Sequence, residues 1–109
     1  MAKKPSLSAS NPVRNAPNVL PLKGELDLHI IPEITASLDA IIDKRPERLV
    51  VDLSDVSYID SAGLAALILA MQKVQAYGGQ FSLAGLQTTL LSIFNMSRLD
   101  EVFEILPKC

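Results

Sequence analysis

The sequence predicts an α/β domain in which helices pack on a mainly parallel sheet. The first observation is an alternation of short apolar segments with amphipathic helical segments, arranged as one strand followed by three helix–strand units. Such alternation is typical of parallel strands joined by right-handed helical crossovers. The second observation is the length of 109 residues, which is enough for one hydrophobic core and too little for a second domain.

Residues 1–17 are interpreted as a disordered tail, because they are rich in Lys, Ser, Asn and Pro and lack hydrophobic periodicity. They contain Lys3, Lys4 and Arg14 and no acidic residue. The chain has 12 acidic and 10 basic residues, so residues 18–109 carry 12 acids against 7 bases, a net charge of about −5. We therefore place the folded domain at residues 18–109 and expect it to be acidic.

The folded part is predicted to begin with a strand at residues 18–23. Pro21 within it indicates an edge strand or a bulge, because proline cannot donate a hydrogen bond to the ladder. Residues 24–27 are interpreted as a turn or as the end of this strand. Pro32 then opens a helix in its first turn, where a missing N–H costs nothing, and Pro46 ends it. The apolar stripe of this helix consists of Ile34, Leu38, Ile41 and Ile42.

A central strand leads directly into a long helix. Residues 49–53 form a short aliphatic run, and Gly78-Gly79 is a good stop for the helix that follows. Asp60 and Ser61 fall at the joint, so Ser61 lies where unpaired backbone N–H groups favour an anion such as phosphate. At 3.6-residue spacing, the core face of the helix consists of Leu64, Leu67, Ile68, Met71 and Val74.

The outward face of the central helix is less polar than a solvated face should be. It consists of Ala66, Leu69, Ala70, Lys73 and Tyr77. Either a partner protein docks there, or another helix of the same domain covers part of it. The remaining elements are a strand at residues 80–83, a helix at 87–94 with Leu90, Leu91 and Phe94, and a strand at 102–106.

Composition argues against several classes of protein. Aromatic residues make up 5% of the chain, Trp is absent and the pI is about 5.2, so nucleic acid is not expected as a partner. No apolar run reaches the ~18 residues of a membrane helix and no secretory signal is recognisable, so we expect a cytoplasmic protein without membrane insertion. The one cysteine, Cys109, cannot form an internal disulfide or a cysteine-based metal site.

Enzymatic patterns are also missing. A hydrolase nucleophile elbow needs Gly two residues before the serine, where this chain has Ile59. His29 is the only histidine, and nothing in the sequence places it near Ser61. Phosphate-binding Gly-rich loops are absent, as are the early acidic pair and the late strand-end lysine of response-regulator receivers. We expect no enzyme, no cofactor and no metal.

Five short motifs make residues 20–106 resemble a STAS domain of the anti-sigma factor antagonist family. They are residues 24–27 (Gly-Glu-Leu-Asp), 51–53 (Val-Asp-Leu), 58–64 (Tyr-Ile-Asp-Ser-Ala-Gly-Leu), 78–79 (Gly-Gly) and 97–99 (Ser-Arg-Leu). Asp60-Ser61 followed by a small residue, Gly and Leu is similar to the family's phosphoacceptor motif. The family normally has a further strand before Leu20. The resemblance thus implies a sheet of four or five strands, the fifth an antiparallel edge strand near the N-terminus.

The resemblance implies a regulator that works by partner switching. In this family the unmodified protein binds an anti-sigma factor, which is also a serine kinase, and so frees the sigma factor for transcription. The kinase phosphorylates the serine that corresponds to Ser61, and a PP2C-type phosphatase removes the phosphate. Related domains also serve in stressosomes, lipid-transport assemblies and transporters, so a non-switching scaffold or interaction subunit is the alternative function.

The residues expected to bind the partner cluster around the joint. They are Asp27, Asp60, Ser61, Ala62, Gly63, Leu64 and Leu69. Asp60 and Gly63 are expected to present Ser61. For three of these residues a structural role is the alternative to partner binding. Ser61 or Asp60 is then a helix N-cap, and Asp27 is a turn residue. The family commonly ends in a helix that this chain lacks after the last strand, so we also expect a weak homodimer at high concentration.

Overall fold

The computed structural model of the protein describes residues 18–106. The predicted tail at residues 1–17 lies outside the described residues, as does the place expected for an antiparallel edge strand. The strands are β1 (Val19–Leu26), β2 (Arg48–Ile59), β3 (Gln80–Ala84) and β4 (Glu104–Leu106). The helices are α1 (Ile31–Ile42), α2 (Ser61–Ala76) and α3 (Thr88–Met96), and a short 3-10 helix spans Leu99–Glu101.

The four strands form one sheet in the order β1-β2-β3-β4, and every neighbouring pair is parallel. Each connection advances the chain by one strand in the same direction. With right-handed crossovers, this order places the helices on one face of the sheet. The predicted α/β fold class with a parallel sheet is therefore confirmed for the described residues.

Strand β1 is longer than predicted and irregular. Its pairing with β2 shifts register between Pro21 and Lys23 and again between Gly24 and Glu25. Pro21 thus lies both at a sheet edge of the described residues and at a bulge, as expected of a residue that cannot donate to the ladder. Gly24 has φ 81°, and residues 24–26 belong to the end of the strand rather than to a turn.

Strand β2 is the centre of the domain. Leu49, Val51 and Leu53 alternate along it and are fully buried against the helices. Pairing with β3 ends at Asp52, which is opposite Ala84, whereas pairing with β1 continues to Ile59. More than half of β2, residues 53–59, therefore extends beyond β3, and this extension leads the chain to the start of α2.

The core faces of the helices were largely predictable from their spacing. In α1, Ile34, Leu38 and Ile42 are buried, with Ile41 packed against the same core. In α2, Leu67, Met71 and Val74 are buried, and Leu64 and Ile68 are partly buried against them. Helix α3 buries Leu90 and Phe94, whereas Leu91 is 36% exposed.

The outward face of α2 is covered in large part by α1. Ala66 and Ala70 are 7% and 3% exposed, and the Lys73 ammonium lies 2.8 Å from the Asp39 carboxylate of α1. Leu69 remains 56% exposed. Of the two alternatives for this face, coverage by another helix of the same domain is confirmed for the two alanines.

Tyr77 is the C-cap residue of α2. Its hydroxyl donates a 2.7 Å hydrogen bond to the Pro46 carbonyl in the connection before β2. Burial raises the pKa of Tyr77, while the Arg45 guanidinium, 5.7 Å from the ring centroid, opposes that shift. Tyr77 is therefore a structural residue, and it lies at the opposite end of α2 from Ser61.

The last strand is shorter than predicted. Residues 99–101 form a 3-10 helix instead of leading straight into a strand, and β4 spans only Glu104–Leu106. Phe103 precedes it and packs against Phe81 and Phe94, with ring centroids 6.3 and 6.1 Å apart. Within residues 18–106 no helix combines the length and apolar character needed to cross a membrane.

Candidate functional site

The joint between β2 and α2 is organised by the carboxylate of Asp60. Asp60 has extended backbone angles, φ −95° and ψ −176°, and its Oδ1 accepts a 2.9 Å hydrogen bond from the Gly63 N–H. This is the geometry of a helix N-cap. The interpretation of Asp60 as the cap is confirmed, and that of Ser61 as the cap is wrong, because Ser61 is the first helical residue.

The second carboxylate oxygen of Asp60 reaches a different element. Oδ2 accepts a 3.2 Å hydrogen bond from the Leu28 N–H, and the Asp60 N–H donates to the Leu26 carbonyl at 3.1 Å. Asp60 therefore ties the turn after β1 to the start of α2. Both of its oxygens accept from backbone N–H groups, so its carboxylate is committed to shaping the site.

Asp27 lies in the turn that Asp60 holds. Its side chain accepts a 3.0 Å hydrogen bond from the His29 N–H, and its carbonyl accepts a 3.1 Å bond from the Ile30 N–H. The structural interpretation of Asp27 as a turn residue is confirmed. Asp27 lies next to the joint, because the backbone N–H of its neighbour Leu28 donates a hydrogen bond to Asp60.

Gly63 sets how closely α2 approaches β1. A Cβ at this position would overlap the Leu26 carbonyl oxygen and lie 3.0 Å from the carbonyl carbon and from the Leu26 Cβ. The obstacle is mostly backbone, which cannot move aside as a flexible side chain would. Gly63 therefore allows the first turn of α2 to sit directly on the end of β1 and fixes the position of Ser61.

Ser61 itself is exposed at the start of α2. Within the described part of the chain its hydroxyl has no hydrogen-bond partner, and the first turn of the helix contains no acidic residue after the cap. Its neighbours Ala62 and Leu64 are half-buried. A hydroxyl that the fold does not use, beside backbone N–H groups of a helix N-terminus, can be modified without breaking a contact.

An apolar groove opens beside Ser61. One wall is the end of β2 and the start of α2, with residues 57–61 and Leu64, and the other wall is α3, with Thr89, Ile93 and Phe94. Its volume is about 440 Å³. The groove exists because β2 extends beyond β3. Helix α3 covers only part of the side of β2 that β3 leaves unpaired.

Sequence reasoning missed three exposed apolar residues near the joint. Leu28, Tyr58 and Ile93 are 69%, 50% and 49% exposed. The signal in the sequence was weak, since single apolar residues in turns or on half-buried helices look the same whether they face core or solvent. Leu69, in contrast, was predicted with the site but lines a cleft with Thr35 and Asp39 of α1, away from the groove.

The titratable groups of the described residues do not form a metal site: no three His, Cys, Asp or Glu side chains there are close enough to share an ion. His29 is exposed in the turn after β1. Its backbone N–H, rather than its ring, makes the bond to Asp27.

Comparison with known proteins gives a family match over most of the chain. The family model of the STAS domain matches residues 9–108, a span that begins inside the segment predicted as a tail. A relative from Listeria monocytogenes, named anti-sigma-B factor antagonist, is 30% identical over 75% of this chain and 72% of its own length. The anti-sigma-B factor antagonist of Bacillus subtilis is 29% identical over 80% of this chain and 79% of its own.

Solved structures show the same fold. The anti-sigma factor antagonist SpoIIAA in its unphosphorylated form aligns with a TM-score of 0.70 and 24% identity over 84% of this chain and 78% of that one. SpoIIAA of Bacillus in its phosphorylated form aligns with a TM-score of 0.65 and 24% identity over 84% and 81%. The two sequence relatives described above are thus named as anti-sigma factor antagonists, and the two solved structures share the fold of this chain.

Proposed function

The chain belongs to the STAS domain family, and on this basis we propose that it is an anti-sigma factor antagonist switched off by phosphorylation of Ser61. In its unmodified form it binds an anti-sigma factor that is also a serine kinase, and so releases a sigma factor. The kinase transfers phosphate to Ser61, and a PP2C-type phosphatase resets the switch. The names of the relatives support the antagonist role.

The observation that carries the switch is the division of tasks between Asp60 and Ser61. Asp60 caps α2 and holds the turn after β1, so the Ser61 hydroxyl is exposed and not required for the fold. A kinase can therefore modify Ser61 without first unfolding the helix. Gly63 keeps this arrangement rigid because its backbone packs on Leu26.

Phosphorylation changes the charge of the docking surface while sparing the fold. A phosphate on Ser61 adds about −1.5 to −2 charges, and a negative charge at a helix N-terminus is favourable by ~0.3 to 1 kcal/mol when exposed. Repulsion from the neighbouring Asp60 carboxylate opposes this gain. A partner that covers Ser61, however, must bury a dianion, which costs several kcal/mol unless a dedicated cation meets it.

The alternative, a scaffold that does not switch, has less support. In a scaffold that does not switch, Ser61 would serve only as a helix cap, and Asp60 occupies the cap position instead. The relatives identified by sequence are named as antagonists, a name that describes action on a partner.

The test is phosphorylation of the purified protein by its cognate serine kinase with ATP, followed by mass spectrometry. We expect one phosphate on Ser61, and none after Ser61→Ala. Ser92→Ala is the matched control, because Ser92 is also exposed but does not border the groove; it should be phosphorylated like the wild type. A phosphate found instead on Ser54, Ser57 or Thr88 would show that the site has been assigned wrongly.

A further inference from the structure

The groove beside Ser61 has the chemistry of a site for apolar side chains. Leu64, Ile93 and Phe94 contribute its apolar surface, while Thr89 and Ser61 lie among its polar lining. Among residues 18–106, Asp60 is the only charged residue that borders it, and both oxygens of that carboxylate already accept backbone hydrogen bonds. A charged small molecule would find no cation in the groove, whereas a leucine-sized or phenylalanine-sized group would bury apolar surface there.

The charged residues around the groove indicate which kind of partner surface could present an apolar side chain to it. All 12 acidic residues of the chain but only 6 of its 10 bases fall within residues 18–106. Lys44, Arg45 and Arg48 lie before or at the start of β2, at the opposite end of that strand from Ser61. Lys73 occupies the last turn of α2. Lys23 lies within β1, opposite Asp55 of β2. The end of the molecule that presents Ser61 therefore carries fewer described bases than the opposite end.

One base lies next to the groove without entering it. Arg98 is between Ser97 and Leu99, which border the groove, and its guanidinium lies 3.7 Å from the Glu101 carboxylate. Asp27 and Asp60 add negative charge on the other side of Ser61. A partner surface with lysine or arginine residues around an apolar side chain complements this arrangement, since steering between opposite charges favours association.

We propose that the groove receives an apolar side chain of the anti-sigma partner, presented from a basic segment of that protein. This inference rests on the proposed function and adds the contact that anchors the complex. Buried apolar anchors in pockets typically dominate the binding energy of an interface. Because Ser61 lies at the rim of the groove, a phosphate there places its charge at the mouth of the pocket that the anchor must enter.

Two matched pairs of variants on α3 test this inference. Thr89→Phe fills the groove, and Thr88→Phe adds the same group to an adjacent exposed residue that does not border it. Ile93→Ala removes apolar surface from the groove wall, and Met96→Ala removes it from an 85% exposed residue outside the groove. The probe is the purified kinase that phosphorylates Ser61, titrated by calorimetry against the full chain, with thermal melting to verify that each variant is folded.

We expect Thr89→Phe and Ile93→Ala to weaken kinase binding at least about tenfold, and both control variants to bind within about twofold of the wild type. Equal binding by all four folded variants would overturn the groove assignment and leave the proposed function intact. A kinase that neither binds nor phosphorylates the wild type would contradict the proposed function itself. Loss of self-association by Thr89→Phe without loss of kinase binding would assign the groove to a second copy of this chain, and would also overturn the inference.

Discussion

At the scale of single residues, Asp60 and Ser61 are neighbours with different tasks. Asp60 accepts hydrogen bonds from the backbone N–H groups of Gly63 and Leu28 with its two carboxylate oxygens, whereas the Ser61 hydroxyl makes no hydrogen bond within residues 18–106. The residue that builds the site is therefore different from the residue that we propose is phosphorylated. This separation allows the charge of Ser61 to change while the helix start remains intact.

Stability measurements distinguish the two tasks. Asp60→Ala removes the cap and the tie to the turn after β1, and we expect a loss of roughly 1 to 2 kcal/mol in the free energy of unfolding. Ser61→Ala removes an exposed, unbonded hydroxyl and should change stability by less than about 0.5 kcal/mol. Urea denaturation of both variants beside the wild type provides the comparison. The reverse order of the two effects would mean that Ser61 is the true cap.

The sequence was sufficient to locate this site but not to assign its parts. Ser61 follows from the strand–helix joint and the motif around it, which are local patterns. The bond from Asp60 to Leu28 spans 32 positions along the chain, so no local pattern contains it. The same holds for the exposure of Leu28 and Ile93, which depends on where β3 ends relative to β2.

At the scale of elements, the site depends on how α2 sits on β1. Gly63 would be unfavourable in an ordinary helix, where Gly→Ala stabilises by about 1 kcal/mol. Here a Cβ would overlap the Leu26 backbone, so close packing requires the glycine. The contact explains why a helix of otherwise good formers carries a glycine in its first turn.

Gly63→Ala is thus expected to destabilise the protein, by roughly 1 to 3 kcal/mol, as overpacking does in buried positions. Ala65→Gly is the matched control: Ala65 is exposed two residues further along α2 and should show only the loss from helix propensity, about 1 kcal/mol. Thermal and urea unfolding give both values. A gain of stability in Gly63→Ala would mean that α2 does not approach β1 this closely.

The helices and strands themselves were predicted more reliably than their first and last residues or the elements against which they pack. The position of Pro21 at a sheet edge and at a bulge was predicted from its missing backbone N–H. Residues 24–27 were predicted as a turn or as the end of the first strand, and β1 includes residues 24–26, with Gly24 at φ 81°. The apolar outer face of α2 was compatible with a partner or a second helix, since small residues such as Ala66 and Ala70 suit either. Only the position of α1 decides between them.

At the scale of the whole molecule, the fold places Ser61, the proposed phosphoacceptor, at one end of a parallel sheet that carries its helices on one face. Four of the six described bases, Lys44, Arg45, Arg48 and Lys73, lie at the other end. Of the remaining two, Lys23 lies in β1 opposite Asp55, and Arg98 faces the Glu101 carboxylate at 3.7 Å. The fold class could be predicted from the alternation of strands and helices and the short chain. The weak homodimer expected from the sequence stays a prediction, which sedimentation over a wide concentration range would test.

The central claim is that phosphorylation of Ser61 controls binding and leaves folding intact. The most direct measurement is to melt three samples, unmodified, phosphorylated and Ser61→Asp, and to titrate each with the cognate kinase. We expect melting temperatures within a few degrees of one another, because the helix N-terminus favours the phosphate while Asp60 opposes it. Phosphorylation should weaken binding at least about a hundredfold, and Ser61→Asp should do so only in part, having less charge. Unfolding of the phosphorylated protein, or an unchanged affinity for the kinase, would contradict the account.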